Sequence, residues 1–493
     1  MSVKALLSKH KSDIKRVLST PSFKSEFPIK DTNASLEQTG FIGNAFEMTI
    51  DTTKAGSANN TFILPTDNVS VYDYYIDWGK GGVEHITANT SQTHVYTSSG
   101  TYQIKIIGTF PRIYFNNTGD KRKLMSIDNW GDIEWGSFEG AFRGCSNMDC
   151  TATDSPNTSN VTTFSVAFAS CSSLTALDVS GWDTSSVTSF EGAFYGCTSL
   201  ISLDMSNWDV SSVETFYDTF MNCSSLVNLN TSGWDTSSVI SFRQTFQGCS
   251  SLITFDTSGW GTSSVTSFNG FCWGCSSLEI FDTSGWDTSS VTNFNGAFYG
   301  CSSLITLDVS DWDISSATSF GSTFRGCSSL TTLDVSLWNI SAGTSFYGTF
   351  YGCSALISLD VSNWNVLNIT SLYATFHSCS SLTSLDVSDW DTSAITNFNF
   401  TFRGCSLLKG SFAALDLDLI TDMDEMFLGC DINDVGTVNY DATLISWAAQ
   451  TVKPNVDFHA GNSKYSAGGG GTAARAILTG APNNWTIYDG GEA

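Results

Sequence analysis

From about residue 120 to 430 the apolar positions recur with one fixed period. Cys145, Cys171, Cys197, Cys223, Cys249, Cys275, Cys301, Cys327, Cys353, Cys379 and Cys405 stand 26 residues apart. Trp182, Trp208, Trp234, Trp260, Trp286, Trp312, Trp338, Trp364 and Trp390 keep the same period, with Trp130 in phase. In a typical unit, Cys301 to Gly326, the segment Leu304-Ile-Thr-Leu-Asp-Val309 precedes Trp312, and Phe320 and Phe324 close the unit. Leu-x-x-Leu-Asp-Val predicts a short strand whose second Leu and Val point inward and whose Asp points outward. The two Phe positions, four apart, suit one face of a helical turn. One unit cannot bury its own apolar side, so units must stack. At ~4.8 Å per unit they would form a rod segment of roughly 55 Å. The array frays at its ends: Pro156 sits where Trp is due, and Cys430 arrives one residue early.

Residues 41–118 follow a different pattern. Phe46–Ile50, Tyr72–Trp78, Thr93–Tyr96 and Tyr102–Ile107 alternate or cluster strand formers between Gly, Ser and Asn turns, which predicts a small antiparallel sandwich. Ahead of it, residues 1–30 carry Lys4, Lys9, Lys11, Lys15, Arg16, Lys24 and Lys30 against Asp13 and Glu26. Leu6, Leu7, Ile14, Val17 and Leu18 share a helical face there, and Pro21 would end the helix. Three readings stand for this arm: a solvated tail, a helix docking an acidic or apolar partner through Lys4, Lys9, Lys11, Lys15 and Arg16, or a membrane-surface helix. The expected fold is mainly β with short helices: a 26-residue leucine-rich-repeat solenoid of about 11–12 repeats, preceded by a small β-sandwich. The expected divisions are a basic docking arm at 1–40, the sandwich at 41–118, the solenoid at 119–430 and a capping module at 431–493.

Charge narrows the function. Lys+Arg number 22 against 48 Asp+Glu in 493 residues, a formal charge of −26, which argues against a nucleic-acid binder. Charged residues are only 14% of the chain and aromatics 13%, so the acidity belongs to a protein with a large core. No apolar stretch approaches the ~20 residues of a membrane span. The start, Met1-Ser-Val-Lys-Ala-Leu-Leu-Ser-Lys-His10, predicts no export signal.

Two resemblances follow. Tyr75-Ile-Asp-Trp-Gly79 and His94-Val-Tyr-Thr-Ser-Ser-Gly-Thr-Tyr-Gln-Ile104 resemble a PKD-type immunoglobulin-like domain, although the first string departs from the usual Trp-Asp-Phe-Gly-Asp order. Such domains are spacers or adhesion modules, and the resemblance implies no chemistry. The pattern Phe-x-x-Cys-Ser-Ser-Leu-x-x-Leu-Asp-Val-Ser-x-Trp-Asp-Thr-Ser-Ser-Val-Thr is similar to BspA-like leucine-rich-repeat proteins of the DUF285 type. That resemblance implies a bacterial or phage-borne surface protein associated with adhesion. Tyr440–Trp447, Phe458–Tyr465 and Trp485–Gly491 look like the module that closes such arrays.

Most columns of the repeat read as structural. Each Cys of the ladder would have two equivalent neighbours with parallel Cβ vectors, so buried thiols fit better than disulfides. Cys272-Trp-Gly-Cys275 has redox or zinc spacing, yet Cys275 belongs to the ladder and Cys272 replaces a core Phe. Asp178, Asp204, Asp256, Asp282, Asp308, Asp334, Asp360 and Asp386 form one acidic column, and Asp183, Asp209, Asp235, Asp287, Asp313 and Asp391 a second. The second reads as turn caps. The first reads as solvated carboxylates hydrogen-bonded to hydroxyls, with weak Ca²⁺ binding around Asp282, Asp308 and Asp334 as the alternative.

The variable columns carry the candidate site. After the second Phe position come Tyr195, Met221, Gln247, Trp273, Tyr299, Arg325, Tyr351, His377 and Arg403. Four residues earlier come Glu191, Tyr217, Arg243, Asn269, Asn295, Gly321, Tyr347, Tyr373 and Asn399. The basic residues between 171 and 405 are Arg243, Arg325 and Arg403, all in these columns. Tyr, Trp and Arg dominate interface energetics. The strip is therefore expected to bind a host-surface glycan or protein, against the alternative that its rings only shelter the edge of the fold. No Walker A loop, G-x-G-x-x-G turn, H-E-x-x-H or G-x-S-x-G is present, and no catalytic residue or cofactor is expected. The expectation is a non-enzymatic virion fibre or decoration protein, anchored to the particle by its N-terminal arm and open to homo-oligomerisation. A bacterial cell-surface adhesin anchored in the envelope and an unliganded scaffold are the alternatives.

Overall fold

The computed structural model describes residues 45–493. Lys4, Lys9, Lys11, Lys15 and Arg16 lie outside the described residues. Strands β1 (Phe46–Asp51), β2 (Thr61–Leu64), β3 (Asp73–Asp77), β4 (Val83–Ile86), β5 (Gln92–Val95), β6 (Thr101–Thr109), β7 (Leu124–Asn129) and β8 (Asp149–Cys150) build the N-terminal region. They form a six-stranded sheet of order β4-β3-β6-β1-β7-β8 and a separate β2–β5 ribbon. Met48, Ile50, Ile104 and Ile106 from the sheet and Phe62 and Leu64 from the ribbon share one buried core. The sheet does not stop at residue 118. β7 pairs antiparallel with β1 and, on its other edge, parallel with β8. The first module and the rod are thus one continuous hydrogen-bonded body. The segment before β7 already coils in register: Phe115 N–H donates to Ala141 O at 3.0 Å and Asn117 N–H to Arg143 O at 2.8 Å.

The rest is a mainly β solenoid of about 14 turns. It exceeds the 11–12 repeats expected because end segments lacking the Cys and Trp consensus still stack. Its strands are short: β9 (Ser202–Asp204), β10 (Asn228–Asn230), β11 (Thr254–Phe255), β12 (Ile280–Phe281) and β13 (Thr306–Leu307). Neighbours pair in parallel with a 26-residue offset, as in Asn228 opposite Ser202 and Thr254. Leu307 and Val309 are buried and Asp308 is exposed, as the alternation predicts.

Helix is found elsewhere than expected. Among the described residues, α-helix is confined to α1 (Val438–Ala448) and α2 (Gly470–Thr479), both in the C-terminal module. This module continues the coil, since Met423 bridges to Phe458 and β14 (Asp457–His459) pairs in parallel with β15 (Thr486–Tyr488). Within the repeats, the Phe-x-x-x-Phe segment is two successive tight turns. Ala297 N–H donates to Phe294 O at 3.0 Å and Cys301 N–H to Phe298 O at 3.2 Å, each closing on the third residue back. Between them, Gly296 N–H reaches Gly321 O at 2.9 Å and Gly300 N–H reaches Arg325 O at 2.6 Å in the next unit. Gly296 and Gly300 have φ of 61° and 72°, which breaks the helical sequence of dihedrals twice per unit.

The columns close the core. Trp312, Trp338, Trp364 and Trp390 stack at 6.2, 6.4 and 6.3 Å with nearly parallel planes. From Cys171 to Cys405 each ladder thiol donates to a carbonyl 29 residues back, as Cys327 Sγ does to Phe298 O at 3.1 Å, and all fourteen cysteines are free. Burial pushes the thiols of Cys145, Cys171 and Cys197 far above their ordinary value. Where Cys272 takes the Phe column, Phe271 fills the core from the adjacent position, packing on Phe246 at 5.3 Å and Phe281 at 6.0 Å. That is a packing exchange, and it leaves the C-x-x-C pair enclosed.

Candidate recognition surface

The two variable columns flank the tight turns just described. Each residue of the first row precedes a position of positive φ: Trp273 before Gly274 (77°), Tyr299 before Gly300 (72°), Arg325 before Gly326 (77°) and Tyr351 before Gly352 (74°). Their carbonyls take the turn-to-turn bonds, Tyr299 O from Gly274 N–H at 2.6 Å and Tyr351 O from Gly326 N–H at 2.7 Å. The backbone is therefore pinned whatever the side chain, and the side chains lie along the outside of the rod.

Five of them form a continuous ladder. The Trp273 and Tyr299 rings stack at 4.3 Å and 19°. The Arg325 guanidinium lies 5.6 Å from the Tyr299 centroid and 4.2 Å from that of Tyr351. Tyr351 stacks on His377 at 4.3 Å and 14°. At about 4.8 Å per turn, the four steps from Trp273 to His377 span about 19 Å. In the second row, Tyr347 and Tyr373 stack at 5.3 Å, and Phe400 meets Tyr373 edge-on at 5.4 Å. Arg243, one turn before that of Trp273, covers the Tyr217 ring at 5.1 Å. Tyr195 stands alone, 36% exposed, without a stacking partner among the described residues.

Charge is distributed unevenly along the strip. Arg403 lies over Phe400 at 5.4 Å and is neutralised by an ion pair with Glu425. Arg243 shares its surroundings with Asp218, whose carboxyl burial raises above its ordinary value while Arg243 opposes the shift. His377 is held below its ordinary value, first by burial and then by Arg403 and Arg325. Arg325 has no carboxylate within ion-pair distance among the described residues. Phe400, Glu425 and Ser378, whose hydroxyl lies 2.7 Å from His377 Nδ1, were not singled out from the sequence. Glu425 was hidden because the last unit is one residue short: counting by 26 from Asn399 reaches it, yet the structure sets it in the column of Phe400, both with positive φ (52° and 59°).

The acidic columns behave as turn elements. Asp308 Oδ1 accepts Ser310 N–H at 3.1 Å and Ser310 Oγ–H at 2.7 Å, and Asp334 repeats this with Ser336 at 3.1 and 2.7 Å. Asp282 accepts Ser284 N–H at 2.9 Å. The Ser hydroxyls, then the Ser N–H groups, hold the carboxyls of Asp178, Asp308 and Asp334 below their ordinary value. Among the described residues no group of three or more His, Cys, Asp or Glu is placed to hold a metal ion. A shallow concavity of about 610 Å³ lies on the strand face beside Ser202, Asp204, Asn228, Asn230 and Asp256. No helix among the described residues is long and apolar enough to cross a membrane.

Fold and surface together define a repeat solenoid with a long side-chain ladder along one edge. The family profile described as "Mycoplasma protein of unknown function, DUF285" matches residues 136–254, 219–332, 244–359 and 318–440, more than half of the chain. The protein belongs to this family. No curated protein matches the chain.

Proposed function

We propose that this protein is a non-enzymatic surface recognition and adhesion protein whose solenoid binds a glycan or protein on another surface through the strip from Tyr195 to Arg403. The observation that carries this reading is the uninterrupted ladder Trp273–Tyr299–Arg325–Tyr351–His377 on the outside of the rod. A core needs no such arrangement, since these side chains add little to burial already supplied by the Phe and Trp columns. Contacts repeated along a rod add through effective concentration, so individually weak contacts produce firm attachment.

Within that reading, the setting is the exterior of a phage virion, as fibre or decoration, with the PKD-like N-terminal module as spacer and the basic arm as the anchor. Fourteen free thiols support assembly where thiols stay reduced, as virion components do before release. Display on a bacterial envelope is the second reading, supported by the family's resemblance to BspA-like proteins. The test is saturable binding of the full chain to candidate host cells beside the Tyr299→Ala/Arg325→Ala/Tyr351→Ala variant. Binding lost in a folded variant is expected. Equal binding by both would overturn the strip as the working face.

A further inference from the structure

Resting on the strip as the working face, one position within it carries a narrower conclusion. Among the described residues, Arg325 is the cation of the ladder without an acidic partner, in a chain of net charge −26. Arg403 is paired with Glu425, and Arg243 donates from Nε to Gln244 Oε1 at 3.2 Å near Asp218. The Arg325 guanidinium instead lies half-buried between two Tyr faces, which hold it in position without using its planar fork of N–H donors.

The surroundings leave that fork accessible. Its Nη1 extends over the next turn, 3.9 Å from where a Cβ on Gly348 would stand. In the second row, the place beside Arg325 is taken by Gly321, between Asn295 and Tyr347. Gly321 is not required by its backbone, since its φ is not positive; an added Cβ would press on the Asn295 amide nitrogen at 3.0 Å. Gly321 adds no side chain to the second row in the turn of Arg325, and the second-row positions on either side carry the Asn295 carboxamide and the 45%-exposed Tyr347.

We propose that the Arg325 guanidinium is a subsite for the carboxylate of an acidic sugar, within a glycan lying along the strip. A guanidinium fork matches a carboxylate in two parallel hydrogen bonds. The faces of Tyr299 and Tyr351 are taken up within the ladder, so these rings turn their edges and phenol hydroxyls outward on either side of Arg325, where they and the Asn295 amide offer hydrogen bonds to sugar hydroxyls. An acidic peptide fits less well. Peptides gain affinity by adding a strand to free backbone groups, and the strip's N–H groups are spent on turn-to-turn bonds such as Gly300 N–H to Arg325 O at 2.6 Å.

The test uses the full chain and immobilised hexagalacturonate and 3′-sialyllactose, each beside its methyl ester, with poly-glutamate as the peptide arm. Expected is binding to at least one acid form that falls tenfold or more on esterification and in Arg325→Gln. Arg325→Lys, which keeps the charge without the fork, should recover only part of it, with circular dichroism unchanged throughout. Equal binding of acid and ester, unchanged binding by Arg325→Gln, or preference for poly-glutamate overturns the acidic-sugar subsite. If no acidic sugar binds while whole cells still bind through the strip, the subsite fails and the recognition reading stands. If cells do not bind either, both fail.

Discussion

Gly296→Ala separates the strip from the fold beneath it. Gly296 has φ of 61°, and an L-residue in the left-handed region costs about 1–2 kcal/mol. The column tolerates that cost elsewhere: Ser322 and Ala374 occupy the equivalent position at 58° and 53°. What distinguishes Gly296 is the indole of Trp273, lying across it so that a Cβ would stand 2.8 Å from Cε3 and 3.1 Å from Cζ3. Trp273 is 38% exposed and can swing away, but only by leaving Tyr299. An aromatic pair is worth about 0.5–1.5 kcal/mol, which brings the total to about 1.5–3.5 kcal/mol. Gly300→Ala is the control, with φ of 72° and an added Cβ at an ordinary 3.7 Å from Gly274 Cα. It should show the backbone cost alone, about 1–2 kcal/mol. Urea unfolding followed by far-UV circular dichroism measures both. Trp273 emission, isolated as the difference between each protein and its Trp273→Phe counterpart, should shift to the red in Gly296→Ala only. Equal destabilisation of the two variants with unchanged Trp273 emission would refute the account.

Trp338→Ala removes a ring buried between Trp312 and Trp364 and leaves Val309 O without the indole donor that bonds it at 3.2 Å. The loss should be about 3–5 kcal/mol, with hydrogen exchange accelerated in the turns on both sides; acceleration confined to one turn would contradict column stacking. His377 is depressed in the folded state relative to 6.5, so the folded protein resists its protonation. Its contribution to stability is complete at neutral pH and declines as pH falls through about 6.5 toward the folded value. Urea midpoints of wild type and His377→Gln from pH 7.5 to 5 should therefore converge on the acid side, and parallel curves would count against it. Cys150 is the half-exposed thiol of the fourteen, with burial pushing it up to about 11. Alkylation of the native protein should label Cys150 first and slowly; rapid labelling of the Cys272/Cys275 pair would overturn its enclosure in the core.

Much of this structure could be read from the residues. The inward Leu307 and Val309 with outward Asp308, the thiol ladder and the turn-capping role of Asp183 all follow from period, polarity and hydrogen-bonding capacity. The tight turns did not. Phe294 and Phe298, four apart, satisfy one helical turn and two four-residue turns equally well, because both bring the rings to one side. The signal that separates them is the pair of glycines at 296 and 300, which disfavour helix and admit positive φ. The sheet shared by β1, β7 and β8 was also hidden, since pairing between distant strands leaves no local pattern. In the strip, the sequence placed the aromatic and basic residues on one edge. It could not show that Glu425 neutralises Arg403 and leaves Arg325 unpaired, because that depends on how the short last unit stacks.

The same geometry accounts for why the repeats agree inside and differ outside. A core side chain touches its counterparts above and below, so Trp338 fits only between rings of like shape in Trp312 and Trp364. A strip side chain is held by a backbone whose hydrogen bonds are complete without it: Gly274 N–H bonds Tyr299 O and Gly300 N–H bonds Arg325 O at the same 2.6 Å, although one residue is aromatic and the other cationic. Substitution in the strip therefore changes the ladder's chemistry without altering its spacing. Specificity can vary from turn to turn while the core columns fix the distance between contacts, which is what recognition of a repeating ligand along a rod requires.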